Sequence, residues 1–289
     1  MPSNPLRIDP SRTATLRGRF ISDINKRLRI IKREIKGLIV GQDVFGLTDN
    51  PPSIFNSEKI QLNVEPSEWR FLTDDRKLEE FNNWFAQQVL TGVLAVDAVT
   101  SEPWLATYVD SAYRKGVTRG FTDVNKGGIL EDDNFYEGRK TQFLTDSFGA
   151  PEAVSKIRLL YTRAFEDLKG VTATMSAQMS RILAGGLAAG LSPSEISREM
   201  NATITQLGRN RAALIARTEV IRAHAEGQLD SFERLGIEEV KALVEFNTAG
   251  DERVCPICLS LEDQTFTIEQ ARGVIPVHPN CRCVWLSTT

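Results

Sequence analysis

The chain has 289 residues, of which 41% are hydrophobic and 25% charged, with a formal net charge of -3. That length suits one large domain or two ordinary ones, and the balance is globular, which excludes wholesale disorder. The near-neutral charge excludes a generic polyanion binder, and no apolar run approaches the ~20 residues that a membrane-spanning segment needs.

Residues 1–12 contain Pro2, Pro5 and Pro10 and read as an extended arm. The opening MPSNPLRIDPSRT lacks the apolar core of a secretory signal, so no export is expected. Ser11 or Thr13 is placed to cap the helix that follows. In that helix Leu16, Phe20, Ile24, Leu28, Ile31, Ile35 and Leu38 recur at steps of three and four, and Gly41 is expected to end it near Val40. The other faces are basic. Residues 7–36 hold Arg7, Arg12, Arg17, Arg19, Lys26, Arg27, Arg29, Lys32, Arg33 and Lys36 against Asp9, Asp23 and Glu34. One reading is a solvated helix face, since Lys and Arg are good helix formers. The other is a contact with DNA or a partner protein, for which Lys26, Arg27, Arg29, Lys32 and Arg33 are the candidates. No aromatic interleaving supports base stacking.

Residues 41–65 are turn-rich, with a short strand expected at 59–64, and mark a first boundary. Ser67 and Glu68 open a helical region whose Trp69, Leu72, Leu78, Phe81, Trp84, Phe85, Val89 and Leu90 read as core or as a contact with a neighbouring subunit. A helix is expected over Trp104–Gly120. Residues 120–138 are loose. Glu131, Asp132 and Asp133 lack the alternating ligands and central Gly of a calcium loop, and Gly127-Gly128 lacks Walker spacing.

Pro151 opens the next helix, and Gly170 is expected to separate it from another over Thr172–Gly190, rich in small residues that permit close packing. Ser192, Pro193 and Glu195 form a capping box for a helix to about Met200. A long helix follows over Asn201–Leu235, open to a break after Gln206-Leu207-Gly208, and Gly236 stops it. Val240–Phe246 is the best strand, with shorter candidates at Thr265–Thr267 and Cys283–Leu286 and one helical turn at Ile268–Arg272.

All four cysteines lie in the last stretch. Cys255 and Cys258 form C-x-x-C, and His278, Cys281 and Cys283 form H-x-x-C-x-C after an intervening loop. Two close pairs separated by a loop have the spacing of a structural zinc knuckle. Zinc takes four ligands and five are on offer. Cys255, Cys258, His278 and Cys281 are the first choice, with Cys283 as substitute. Disulfides are the competing reading, disfavoured in a chain expected to be made in a reducing cytoplasm. A module of about fifty residues with few large apolar side chains needs such a staple. Five donors leave little room for the open coordination position of a catalytic metal. A ββα-metal nuclease would need further histidines, and His224 alone is to spare.

RVCPICLSLEDQTF followed by PVHPNCRC resembles the C-terminal signature of phage minor head proteins, the Mu F-like head morphogenesis family. The segment ALIARTEVIRA (213–223) is similar to that family's recurrent "ARTE" helix, and Asn247–Asp251 falls where the family places a strand and a turn. The resemblance covers roughly the last third of the chain. It implies a virion or procapsid component and no known catalytic activity, so a non-enzymatic protein of the phage head, assembled in the host cytoplasm, is expected. It also implies association with the portal protein, with scaffold, coat protein or DNA as further contacts. Arg217 and Glu219, in that helix, could be surface pairs. Given the resemblance, they are expected to be partly buried and to tie the helix to the strand at 240–246. An Arg-Thr-Glu run on one helix defeats the geometry of an ADP-ribosyltransferase. His224, with no Ser or Cys nucleophile beside it, reads as a packing or surface imidazole.

The expected fold is therefore mainly α with a small C-terminal α+β module. Its parts are a basic arm, helix and linker (1–65), a helical domain (66–190), and the Mu F-like module with the Cys/His cluster (191–289).

Overall fold

The computed structural model describes residues 9–45, 74–127, 139–237 and 242–288. The strand expected at 59–64, the helix opening at Ser67 and Glu68 with Trp69 and Leu72, the loop with residues 131–133 and the start of the strand at Val240 lie outside them. Among the described residues the fold is mainly α with one small C-terminal sheet, as expected. The chain forms two compact units. One comprises Met1–Ile21, Glu102–Glu166 and Ala213–Thr289, the other Ser22–Ser101 and Asp167–Ala212.

The helix α1 (Ala14–Lys36) runs on as a π turn over Gly37–Gly41. Its start is held by Asp9 rather than by Ser11 or Thr13 directly. The Asp9 carboxylate accepts the Ala14 amide at 2.7 Å and the Ser11 hydroxyl at 2.7 Å, and pairs with Arg17 at 2.9 Å. An anion at this end complements the helix dipole. In the second unit Ile24, Leu28, Ile31, Ile35 and Ile39 are the buried stripe of α1, Ile39 taking the place expected of Leu38.

Phe81, Phe85, Val89 and Val93 are buried along α2 (Asp74–Gln88) and its π turn Val89–Val93. Phe81 and Phe85 stack with ring centroids 6.0 Å apart. Leu90 faces solvent and is not part of this core. The helix α3 (Ala106–Gly127) passes straight through Gly120, and α4 (Lys140–Gly149) follows.

The helix α5 (Pro151–Ala188) is continuous where two helices were expected. Gly170 lies on its exposed face with open space around it. A mid-helix glycine costs about 1 kcal/mol. The stripe Leu168, Val171, Met175 and Met179 is buried without interruption past it, and each such side chain contributes ~1.5–3 kcal/mol. Burial wins, and the helix does not break.

The capping box is as read. Ser192 Oγ accepts the Glu195 amide at 3.3 Å, and Glu195 Oε2 accepts the Ser192 amide at 2.9 Å. The helix it starts, α6 (Pro193–Leu207), runs past Met200 to the π turn Gly208–Ala212. A Cβ on Gly208 would lie 2.5 Å from Leu28 Cδ1, so the break falls where α1 passes.

In the first unit, α3 and α7 (Ala213–Arg234) meet backbone to backbone. A Cβ on Gly116 would sit 2.0 Å from the His224 carbonyl oxygen, and one on Gly227 2.2 Å from that of Tyr113. Gly120 faces Ser231 as closely, at 2.7 Å from its Cβ. These glycines are contact points, which is why Gly120 does not end its helix. Gly236, at φ +71°, does end α7, with Ile237 N–H returning to the Phe232 carbonyl at 3.3 Å.

The sheet has the order β2-β1-β3, antiparallel throughout: β1 (Leu243–Asn247), β2 (Thr265–Phe266) and β3 (Val284–Thr288). A short helix α8 (Pro256–Leu261), not anticipated, follows Cys255, and the expected turn is α9 (Ile268–Ala271). Phe246 pairs with Trp285 across β1 and β3, edge to face at 5.6 Å. Trp285 is wholly buried, so this small sheet has one large apolar centre.

Candidate metal centre

The local sequence folds the two ligand pairs toward one another. Cys255 caps α8, its Sγ accepting the Cys258 amide at 3.3 Å, and Pro256 sits at the first helical position. One turn therefore carries both sulfurs to the same side. The second pair comes from the turn before β3. Asn280 takes a left-handed conformation, φ +66°, which reverses the chain between His278 and Cys281.

His278 Nε2 lies 3.1 Å from Cys255 Sγ and 3.2 Å from Cys258 Sγ, and Cys258 Sγ lies 4.0 Å from Cys281 Sγ. The donor atoms of Cys258, Cys281 and Cys283 also lie within 4.8 Å of one another. Cys258 is thus shared by two triads. With metal bonds of ~2.0–2.3 Å, adjacent donors of a tetrahedral ion stand roughly 3.5 Å apart. The spacing fits a transition-metal ion. All four thiols are free, and 4.0 Å is far from a disulfide bond of ~2.05 Å. The cavity they share is about 20 Å³, the size of one small ion or one water.

The surroundings shift the donors in opposite directions. His278 Nδ1 donates to the Pro279 carbonyl at 2.8 Å, which leaves Nε2 as the lone-pair nitrogen facing the sulfurs. Burial opposes the imidazolium, yet the Pro279 carbonyl and the neighbouring Cys281 and Cys255 raise the His278 pKa. The Cys283 thiol lies beside Cys281 and holds its pKa down to about 5, while burial pushes Cys258 up to about 12. The Cys258 amide lowers Cys255, and contact with Cys281 together with burial raises Cys283.

The "ARTE" segment meets this turn. Arg217 Nη1 donates to Asn280 Oδ1 at 3.4 Å, and the Asn280 amide donates to Thr218 Oγ1 at 3.4 Å. Arg217 is exposed and reaches the ligand-bearing turn, not the strand as expected. Glu219 is only 2% exposed and faces Arg222 at 3.3 Å and Arg163 at 3.8 Å. The link from α7 to the sheet is Gln228, which the sequence reading passed over. Its one signal was a polar residue in line with His224 and Ser231 on a buried face. His224 is a packing residue, 1% exposed, and burial holds its pKa down to about 3.

The basic candidates on α1 divide. Arg27 donates to the Gly92 carbonyl at 2.6 Å and Lys32 to Thr205 Oγ1 at 2.7 Å. Lys26 pairs with Asp23 at 2.8 Å and Arg33 with Glu34 at 3.3 Å on the exposed surface, where Arg29 also lies. No helix among the described residues is long and apolar enough to cross a membrane.

Among the described residues, a Cys/His cluster that could hold a metal ion stands beside the small C-terminal sheet. Residues 177–286 match the family described as Phage Mu protein F like protein, the family that the signature and the "ARTE" helix resemble. The match runs from the end of α5 through every candidate ligand into β3. No curated protein and no solved structure shows a significant match to the chain.

Proposed function

We propose that the chain is a phage minor head protein that associates with the portal vertex during procapsid assembly or DNA packaging, and that it does so without catalysis. It would be assembled in the host cytoplasm into the phage head. The observation that carries the reading is the meeting of two separate family blocks, Arg217-Thr218 and His278–Cys281, at Asn280 beside the convergent donors. The metal would be Zn2+, held by Cys255, Cys258, His278 and Cys281, with Cys283 as substitute. The soft sulfur donors and single imidazole favour zinc over a hard cation.

A structural role is favoured over a catalytic one by the donor count, since five donors crowd a small, largely buried site. When bound, zinc would contribute on the order of 10 kcal/mol to holding the module together. A nuclease reading loses its spare imidazole, because His224 is sealed between helices. The DNA-binding reading loses two of its five cations to contacts within the second unit, Arg27 and Lys32.

The test is a pull-down against the portal protein of the same genome, with a DNA-cleavage assay in added divalent metal. Retention of portal with no cleavage supports the reading. Cleavage abolished by His278→Ala in a folded protein would establish the nuclease instead. DNA affinity that falls steeply with salt, and is removed by charge reversal at Lys26, Arg29 and Arg33, would establish the DNA-binding reading.

A further inference from the structure

The two ligand pairs are joined by a contact that needs no metal. Arg282 stands between Cys281 and Cys283, and Asp251 stands four residues before Cys255. The Arg282 guanidinium meets the Asp251 carboxylate with both prongs, Nη1 to Oδ2 at 2.7 Å and Nη2 to Oδ1 at 2.6 Å. Both side chains are mostly shielded, at 17% and 24% exposure. Bidentate pairing of this kind fixes direction as well as distance.

The same carboxylate shapes the turn that presents Cys255. Asp251 Oδ1 accepts the Arg253 amide at 3.0 Å, and the Asp251 carbonyl accepts the Val254 amide at 3.0 Å. One carboxylate therefore organises the backbone entering the first ligand pair and grips the residue inside the second. Arg253 also touches Asp251, at 3.1 Å, but its side chain is 71% exposed and lies on the same turn, so it joins nothing distant.

We propose that Asp251 and Arg282 form a clamp that sets the separation of the two ligand pairs before metal arrives, making them positioning residues for the ion. The inference rests on the metal reading above. The metal then closes a site whose strands already face each other, and less of its binding free energy goes into ordering the chain. Positioning contacts around a metal site of this sort typically change affinity 10–100-fold.

The test measures Zn2+ affinity of the full chain by competition with a chromogenic chelator, with far-UV circular dichroism to confirm folding. Arg282→Gln and Asp251→Asn should each weaken Zn2+ binding about 10- to 100-fold. The double variant should be no weaker than either single one, because both remove the same contact. Arg253→Gln should bind as the wild type does. Arg282→Lys keeps the charge but loses the fork, and should still bind more weakly. In the chelator-treated wild type, the Arg253 and Val254 amides should stay protected from hydrogen exchange, and lose that protection in Arg282→Gln. Wild-type affinity in a folded Arg282→Gln, or additive losses in the double variant, would overturn the clamp and leave the metal reading standing. A wild-type chain that binds no Zn2+ would overturn both.

Discussion

Gln228 grips Trp285 by its main chain. The side-chain amide donates from Nε2 to the Trp285 carbonyl at 2.8 Å, and its Oε1 accepts the Trp285 amide at 3.3 Å. Both residues are fully buried. β3 is an edge strand, and this one side chain pairs the Trp285 main-chain groups on its outer edge. Replacing Gln228 with Met, of similar volume, strands a buried N–H and a buried C=O. Each costs ~1–3 kcal/mol, so Gln228→Met should destabilise by about 2–6 kcal/mol, read as a lower urea midpoint.

The glycines of the α3–α7 contact should separate sharply from the glycine of α5. Gly116→Ala and Gly227→Ala each drive a methyl into a carbonyl oxygen of the facing helix, 2.0 and 2.2 Å away. Backbone cannot yield as a flexible side chain can, so a loss of about 3 kcal/mol or more is expected. Gly170→Ala meets nothing and should stabilise by about 0.5–1 kcal/mol. Thermal unfolding of the three variants reads the contrast directly.

His224 should make stability depend on pH. Its folded pKa is held down to about 3 by burial, against 6.5 for an ordinary histidine. The unfolded chain therefore takes up a proton that the folded chain refuses. The stability is fully present above about pH 6.5 and is lost as pH falls toward 3, at up to ~1.4 kcal/mol per pH unit. His224→Phe cannot titrate. The difference in unfolding free energy between wild type and variant should change across pH 6.5 to 4, moving against the wild type as the solution becomes more acidic. A constant difference would show that His224 is not buried neutral.

Cysteine substitutions should rank by position. Cys258 belongs to both triads, so Cys258→Ser should abolish metal binding. Cys283→Ser should keep most of it, since the first-choice set does not need that sulfur. Absorption of the Co2+-substituted protein reads both the number of thiolates and their loss.

Much of this was legible where the determining contacts are local. The capping box at Ser192 needs only four consecutive residues, and the α1 stripe from Phe20 to Ile35 needs only helical spacing. The two halves of the Cys/His cluster announced themselves by ligand type and spacing, and the structure brings them together. What was misread depended on partners distant in sequence. Gly120 and Gly170 were both taken as helix ends because glycine lowers helix propensity. One is required by Ser231 on a helix a hundred residues away, and the other is outweighed by burial on the opposite face. Arg217 was placed against a strand. Its actual partner, Asn280, depends on a left-handed turn that no periodicity reveals. Gln228 looked like one more polar residue on a long helix until the sheet edge it serves was in place.

The account stands on a single metal ion drawing the chain's C-terminal sulfurs and an imidazole into one scaffold. Elemental analysis of the purified wild-type chain, before and after chelation, measures this most directly. It should find one zinc per chain, and chelation should weaken the exchange protection of the β1 and β3 amides without unfolding the turn that Asp251 and Arg282 hold. A chain with no bound metal, whose β1–β3 amides remain equally protected with and without chelator, would contradict it.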